Sequence, residues 1–160
     1  MSKIELSEKL HASLYSTDLK TQAETIDQFY SDLATFNDPL VSVTGIDHVK
    51  AQFRFLTWFS SITSVIKSVT TTHDTVLIDA DVTFAIAFIP IKIRSLTKFT
   101  FNSHGKVIAH EDVWSIRDII QSIPLMGYLY QFGVRMNGTV SSHVINRVGW
   151  LFEKKVNKIQ

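Results

Sequence analysis

Residues 75–89 read Thr-Val-Leu-Ile-Asp-Ala-Asp-Val-Thr-Phe-Ala-Ile-Ala-Phe-Ile, and this stretch carries the clearest periodicity in the chain. Every second side chain from Val76 to Phe88 is apolar, which is typical of a β-strand with one buried face. The side chains of the other parity begin polar, with Thr75, Asp79, Asp81 and Thr83, and then become apolar, with Ala85, Ala87 and Ile89. We therefore predict a long strand with one solvated end and one end that is covered on both faces.

Three further strands are predicted around this one. Alternation begins near Thr63 and continues to Thr72, a second strand covers about Ile93–Phe101, and a third covers Lys106–Trp114. Turn residues separate them, with His73-Asp74 before the central strand and Asn102-Ser103-His104-Gly105 before the last strand. The four strands form one antiparallel sheet in this interpretation.

Helices are predicted on both sides of the strands in sequence. Ser2 with Glu5 and Thr21 with Glu24 fit capping boxes, and the second of these helices is expected to reach Leu33. A short strand over Leu40–Thr44 precedes a third helix that begins near Asp47, and Pro39 separates the strand from the second helix. After the sheet we expect a helix over Ile116–Ser122, ended by Pro124, and a final helix that starts at Thr139 or Ser141. The order predicts an α+β domain in which helices cover a curved sheet.

Composition excludes several classes of protein. The chain has 160 residues, is 45% hydrophobic and has a net charge of +1, so it is one domain with a real core and no strong field for nucleic acid. It contains no cysteine, which excludes disulfides, zinc–thiolate sites and thiol nucleophiles. The N-terminal residues carry two acids and no apolar segment, so we expect no targeting signal and a cytoplasmic location.

Two blocks of sequence resemble a known superfamily. The first is Phe36-Asn37-Asp38-Pro39, followed by Gly45-Ile46-Asp47-His48-Val49-Lys50 and then by Phe53 and Leu56; the second is residues 105–114. Together with Phe88-Ile89-Pro90, they resemble the SnoaL-like proteins of the nuclear transport factor 2-like (NTF2-like) superfamily, and in particular a largely uncharacterised group from fungi and plants. The resemblance implies a cone of sheet and helices over about residues 20–115, within a single domain of residues 1–160 that ends in a helical extension from about residue 116.

The same resemblance implies a deep pocket between the concave sheet face and the N-terminal helices. Members of the superfamily include isomerases, cyclases, dehydratases, epoxide hydrolases and pure binding proteins, so the fold does not decide the function.

The candidate catalytic residues are His110, Asp112 and Tyr30. His110, Asp112 and Trp114 alternate along the last strand, so they face one side together, with Glu111 on the opposite face as the rival if the parity is reversed. We expect an apolar pocket to raise the pKa of the carboxyl group, and a neighbouring imidazole could then share a proton with it at an activated carbon. The alternative is a purely structural pair. Tyr30, at the end of the second helix, is the candidate donor, because Asp32 points elsewhere on that helix and is expected to be solvated.

Aromatic and methionine side chains are the candidate ligand-binding residues. They are Phe53, Trp58, Phe84, Phe88, Trp114, Met126 and Tyr128. The alternative is that these side chains are ordinary core. No metal-binding or phosphate-binding motif occurs, so we expect neither a metal nor another cofactor.

Two functions remain open on the sequence alone. The first is binding of a hydrophobic small molecule, with cofactor-independent isomerisation, dehydration or cyclisation as its enzymatic form. The second is a non-catalytic scaffold or protein-interaction module that uses the sheet face. The surplus of apolar residues favours a homodimer across the outer sheet face. The segment 123–134 could be a lid, a membrane-surface contact or a partner contact. Its few flanking charges argue against a membrane contact that depends on basic residues.

Overall fold

The computed structural model describes residues 2–86, 89–123 and 125–156. Contacts divide the chain into two compact units, Met1–Ser122 and Ile123–Gln160. The elements of the first unit are α1 (Lys3–Leu14), α2 (Leu19–Phe29), β1 (Tyr30–Asn37), β2 (Ser42–Thr44), α3 (Ile46–Leu56), β3 (Ser61–Thr71), β4 (Thr75–Ile86), β5 (Ile89–Phe101), β6 (Val107–Trp114) and α4 (Ile116–Ser122). The second unit contains α5 (Met126–Val156).

One curved sheet organises the first unit. Its strands lie in the order β2-β1-β6-β5-β4-β3, and every neighbouring pair is antiparallel except β1 and β6, which are parallel. The α+β class and the four predicted antiparallel strands are confirmed. Val76, Ile78, Ala80 and Val82 on β4 are fully buried, as the alternation predicted. The doubly covered end falls partly outside the described residues, and Ile89 instead begins β5 with an exposed side chain.

The strand β1 was not predicted. The sequence analysis extended the second helix through Tyr30 to Leu33, but α2 ends at Phe29 and Tyr30 is already extended. Parallel pairing of Phe36 with His110 on β6 holds this segment in the sheet, so a tertiary contact overrides the helical spacing. Tyr30 and Asp32 therefore lie on a strand, where Tyr30 is buried and Asp32 is exposed.

The predicted helix cap is confirmed at α1 and is wrong at α2. The capping box of Ser2 and Glu5 is confirmed, whereas α2 begins at Asp18, whose carboxylate accepts hydrogen bonds from the backbone N–H groups of Lys20 and Thr21. The Thr21–Glu24 box is wrong because Asp18 caps the helix three residues earlier. Gly45 caps α3 with a φ of 98°, in the left-handed region that glycine adopts without strain.

Helix α1 belongs to the buried core even though it precedes the predicted cone segment. Leu10 and Leu14 are fully buried, and α1 ends beside Tyr15, whose ring is also buried. The core cluster therefore joins α1, α2 and α3 to the inner face of the sheet. This packing brings the N-terminal residues to the polar side chains of β6.

The second unit is a single long helix. It begins at Met126, not at Thr139 or Ser141, and it continues through three interior glycines. Each interior glycine costs about 1 kcal/mol relative to alanine. Pro124 lies outside the described residues. Among the helices that the structure describes, none combines the length and the apolar character needed to cross a membrane.

Candidate functional site

A cavity of about 370 Å³ lies between the inner sheet face and helix α3, with its whole lining in the first unit. Its volume is in the range of small-molecule sites. Most of the wall is apolar, and seven aromatic side chains contribute to it: Tyr15, Phe36, Phe53, Phe55, Phe59, Phe84 and Trp114. The polar side chains that line it are Tyr15, Asp38, Gln52, Ser95 and Asp112. The cavity is therefore built for a mostly apolar ligand with few polar groups.

Asp112 is the buried carboxylate of this cavity, with only 5% of its surface exposed. Thr97 donates to its Oδ1 over 2.6 Å, and the Tyr15 hydroxyl donates to its Oδ2. The His110 Nε2 lies 3.3 Å from Oδ1. Three donors thus hold the carboxylate in one orientation at the cavity wall.

His110 and Tyr30 lie behind the carboxylate. His110 is fully buried, and its ring stacks on Phe53 with a centroid separation of 5.4 Å. The Tyr30 hydroxyl lies 2.7 Å from His110 Nδ1. An ionised carboxylate can only accept, so Nε2 carries the proton that points to Asp112, and Nδ1 forms the second hydrogen bond of the ring with the Tyr30 hydroxyl. Tyr30, His110 and Asp112 form one hydrogen-bonded chain.

The direction of the Asp112 pKa corrects one expectation. Burial acts to raise the pKa of Asp112, but attraction to His110 and the hydrogen bonds from His110, Thr97 and Tyr15 outweigh it. The pKa of Asp112 is therefore lowered, and the raised value expected from an apolar pocket is wrong. The sequence around residue 112 does not show how many hydrogen-bond donors surround the carboxylate, and these donors decide the direction of its pKa shift.

Tyr15 and Tyr30 remain protonated at neutral pH because both are buried near the charge of Asp112. Burial raises the pKa of Tyr15 and of Tyr30 well above the ordinary value, and the charge of Asp112 raises both further. Each phenol is therefore a hydrogen-bond donor at neutral pH. The arrangement can hold an ionised carboxylate at the wall of an apolar cavity, ready to accept a proton from a bound molecule.

The candidate residues of the first unit differ in whether they line the cavity. Phe53, Phe84 and Trp114 line the cavity beside Asp112, whereas His110 and Tyr30 do not line it and can act only through Asp112. Their roles stay predictions.

Three candidate ligand-binding residues, Trp58, Met126 and Tyr128, do not belong to this lining. Trp58 is 78% exposed, because α3 ends at Leu56 and the following turn carries the indole out to solvent against Phe55. Met126 and Tyr128 belong to α5 of the second unit. Phe88 lies outside the described residues.

Sequence reasoning missed several cavity residues. Tyr15 and Ser95 are the chemically important ones, and Ile91 and Ile93 line the wall on the same face of β5. The alternation of Ile91, Ile93, Ser95 and Thr97 could have placed Ser95 on the inner face. No local signal connects Tyr15 to Asp112, which is 97 residues away.

We expect Tyr30→Phe to lower the free energy of unfolding by about 1–3 kcal/mol, because the buried Nδ1 of His110 loses its partner. Urea unfolding measures the change. Tyr128→Phe is the matched control, since Tyr128 is exposed and should leave the unfolding midpoint in place. Equal midpoints for Tyr30→Phe and wild type would contradict a stabilising bond at His110.

Comparison with known proteins establishes the fold. No protein-family model and no curated protein matches the sequence. Among solved structures, the chain is similar to an LEH-like epoxide hydrolase of M. tuberculosis, with a TM-score of 0.64 and 14% identity over 81% of this chain and 94% of that one. A candidate SnoaL-like polyketide cyclase from Jannaschia sp. CCS1 gives a TM-score of 0.67 and 16% identity over 77% and 92% of the two chains.

A third solved structure gives the same result. It is a hypothetical protein with a ketosteroid isomerase-like fold from Catenulispora acidiphila DSM 44928, in complex with trimethylamine, with a TM-score of 0.63 and 15% identity over 74% of this chain and 91% of that chain. The predicted NTF2-like (SnoaL-like) cone is confirmed as the fold. At these identities the likeness concerns the fold alone.

Proposed function

We propose that the chain binds an apolar small molecule in the cone cavity and that Asp112 moves a proton of that molecule without a cofactor. The observation that carries the proposal is the position of Asp112, a buried carboxylate with three fixed donors at the wall of an apolar cavity. An ordinary core would place an apolar side chain there, since a buried charge costs free energy unless it is paired.

The names of the solved relatives support small-molecule chemistry in this fold. They include an epoxide hydrolase, a candidate polyketide cyclase and a ketosteroid isomerase-like protein. Isomerisation, dehydration and cyclisation can all begin with removal of a proton from an activated carbon, so one positioned base serves each of them. His110 orients Asp112, and Tyr30 orients His110.

The outer sheet face favours the cavity over a protein-interaction surface as the functional site. Three cross-strand ion pairs lie on that face, joining Lys67 to Asp81 at 2.9 Å, Arg94 to Asp79 at 2.5 Å and Lys98 to Glu111 at 3.5 Å. Such a surface is hydrated and charged, whereas stable interfaces are depleted of charge at their centres. The homodimer across this face stays a prediction, which light scattering of the purified protein checks.

The proposal is tested with 2-tetralone, an apolar ketone whose C1 hydrogens are activated by the carbonyl and the aromatic ring. In D₂O, wild-type protein should accelerate deuterium incorporation at C1 over the buffer rate, as followed by mass spectrometry. Ile91→Trp should return the rate to that of buffer because the indole fills the cavity, and native mass spectrometry should show weaker 2-tetralone binding.

The matched control is Lys92→Trp. Lys92 is the next residue on β5 and points to the outer, exposed face, so the same new side chain leaves the cavity open. Failure of the wild-type protein to bind or exchange 2-tetralone and related aryl ketones would overturn the proposal, as would equal rates in the two tryptophan variants.

A further inference from the structure

The buried hydroxyl group of Ser95 is the feature that the proposed function does not yet use. The side chain is 1% exposed and lines the cavity, yet its Oγ has no hydrogen-bond partner among the described residues. Buried polar groups are almost always paired, because an unpaired hydroxyl loses its hydration without compensation. An orphan hydroxyl at a cavity wall therefore points to a partner that the ligand supplies.

The neighbouring hydroxyl on the same strand shows the contrast. Thr97 lies two residues along β5, faces the same side and donates to Asp112 over 2.6 Å. Ser95 also carries a hydroxyl and faces the same side of the sheet, but it has no acceptor among the residues that the structure describes. The fold therefore uses one of the two hydroxyls to hold the carboxylate and leaves the other to the cavity.

Strand register fixes the relation between Ser95 and Asp112. Ser95 pairs with Trp114 and Thr97 pairs with Asp112, so Ser95 is the diagonal neighbour of Asp112 across the antiparallel pair. Diagonal neighbours are about 7–8 Å apart at their Cα atoms, which is within reach of one small ligand group placed between them. One hydroxyl donor and one carboxylate thus face the same molecule from neighbouring positions on one sheet face.

We propose that Ser95 Oγ–H donates a hydrogen bond to the carbonyl oxygen of a neutral, apolar ketone whose α-hydrogen faces Asp112. This inference rests on the proposed function and names its substrate class. A ketone oxygen only accepts, so it suits the Ser95 hydroxyl and not the Asp112 carboxylate, which also only accepts. A ligand carboxylate in this position would repel Asp112 in a site with little water.

The proton transfer balances without a co-reactant. Asp112 takes the α-proton, the C–H electron pair forms a carbon–carbon double bond, and the carbonyl π pair moves to the oxygen. Ser95 donates to the resulting enolate oxygen, where the negative charge develops. In D₂O the proton on Asp112 is replaced by a deuteron from solvent, and its delivery to the same carbon gives exchange. Delivery of the proton to the far carbon of a conjugated system gives isomerisation.

The strength of Asp112 as a base limits which ketones can react, because only a sufficiently acidic α-hydrogen is removed. Because the pKa of Asp112 is lowered, the carboxylate is a weak base and the α-hydrogen needs a second activating group besides the carbonyl. Aromatic side chains such as Phe53, Phe84 and Trp114 form much of the wall and suit a flat aryl group in that role. The favoured class is the aryl-activated or doubly carbonyl-activated ketone.

Ser95→Ala tests the inference through three measurements. The rate of deuterium exchange into 2-tetralone should fall about 10²-fold, in line with the loss of one oxyanion donor. The preference of the protein for 2-tetralone over tetralin, which lacks the oxygen, should fall about tenfold. The unfolding temperature should stay equal or rise, because the substitution removes an unpaired buried hydroxyl.

Ser68→Ala is the control, since Ser68 is exposed on β3 and all three measurements should match wild type. If wild type exchanges 2-tetralone and Ser95→Ala does so equally well, the inference is overturned and the proposed function stands. If neither protein exchanges it but the preference over tetralin depends on Ser95, the oxygen-binding role stands and the proposed proton transfer is overturned. If wild type shows neither exchange nor preference, both are overturned.

Discussion

Replacing Asp112 with Asn should lower the rate of deuterium exchange into 2-tetralone by about 10³-fold and leave 2-tetralone bound, because the amide keeps the shape of the carboxylate but cannot accept a proton from carbon. The amide oxygen can still accept from Thr97 and His110, and the amide N–H can donate to the oxygen of Tyr15. The exchange rate and the dissociation constant, measured on the same preparation, separate chemistry from binding.

Glu111→Gln is the matched control for Asp112→Asn. Glu111 is the adjacent residue on β6, it faces the exposed side of the sheet, and it pairs with Lys98 there. The exchange rate of Glu111→Gln should equal that of wild type. A binding module without catalysis would show little change in either variant, and an Asp112→Asn protein that only unfolds would mark the His110–Asp112 pair as structural.

The free energy of unfolding should fall by about 3 kcal/mol between pH 6.5 and pH 4 because of His11 alone. Burial lowers the pKa of His11 from 6.5 to about 4, with a smaller upward effect from Asp112 and a downward one from His110. Between these two pH values the unfolded chain binds a proton at residue 11 and the folded protein does not, so stability is lost as the pH falls through this window. The contribution becomes constant about one pH unit above 6.5, where the unfolded chain has also lost this proton.

The structural cause is the place of the ring in the core. His11 is 1% exposed on α1, its Nε2 pairs with Ser64 Oγ at 2.8 Å, and its ring centroid lies 4.4 Å from that of Tyr15. A second proton on this ring would be buried without an adjacent carboxylate as its hydrogen-bond partner among the described residues. Burial without such a partner disfavours the charged form.

Urea unfolding at a series of pH values measures the His11 effect. His11→Gln keeps a group that can bond Ser64 and should remove the loss between pH 6.5 and pH 4, so its curve diverges from that of wild type in this window. His104→Gln is the control, since His104 is exposed in the turn before β6 and should retain the full slope. Parallel curves for His11→Gln and wild type would show that His11 does not titrate differently in the folded protein.

The sequence alone predicted the elements whose defining residues lie close together in the chain. The alternation in β4, the capping box of α1 and the turns on either side of the central strands each depend on residues within a few positions of one another. It failed at β1, where the spacing from Ile26 to Leu33 favours a helix and pairing with β6 imposes a strand. It also failed at α5, which begins at Met126 and not at the predicted Thr139 or Ser141.

For the candidate site, the sequence by itself determined that His110 and Asp112 share one face of a strand, because side chains alternate with a period of two. The tertiary structure alone decided that Asp112 meets Tyr15 from the end of α1, that His110 meets Tyr30, and that Ser95 has no partner at the same cavity within the described part of the chain. These contacts depend on strand register and on helix packing across most of the chain. No nearby residue carries that information, which is why the sequence pointed to a carboxylate in a pocket and the fold decided its donors, its lowered pKa and its neighbour.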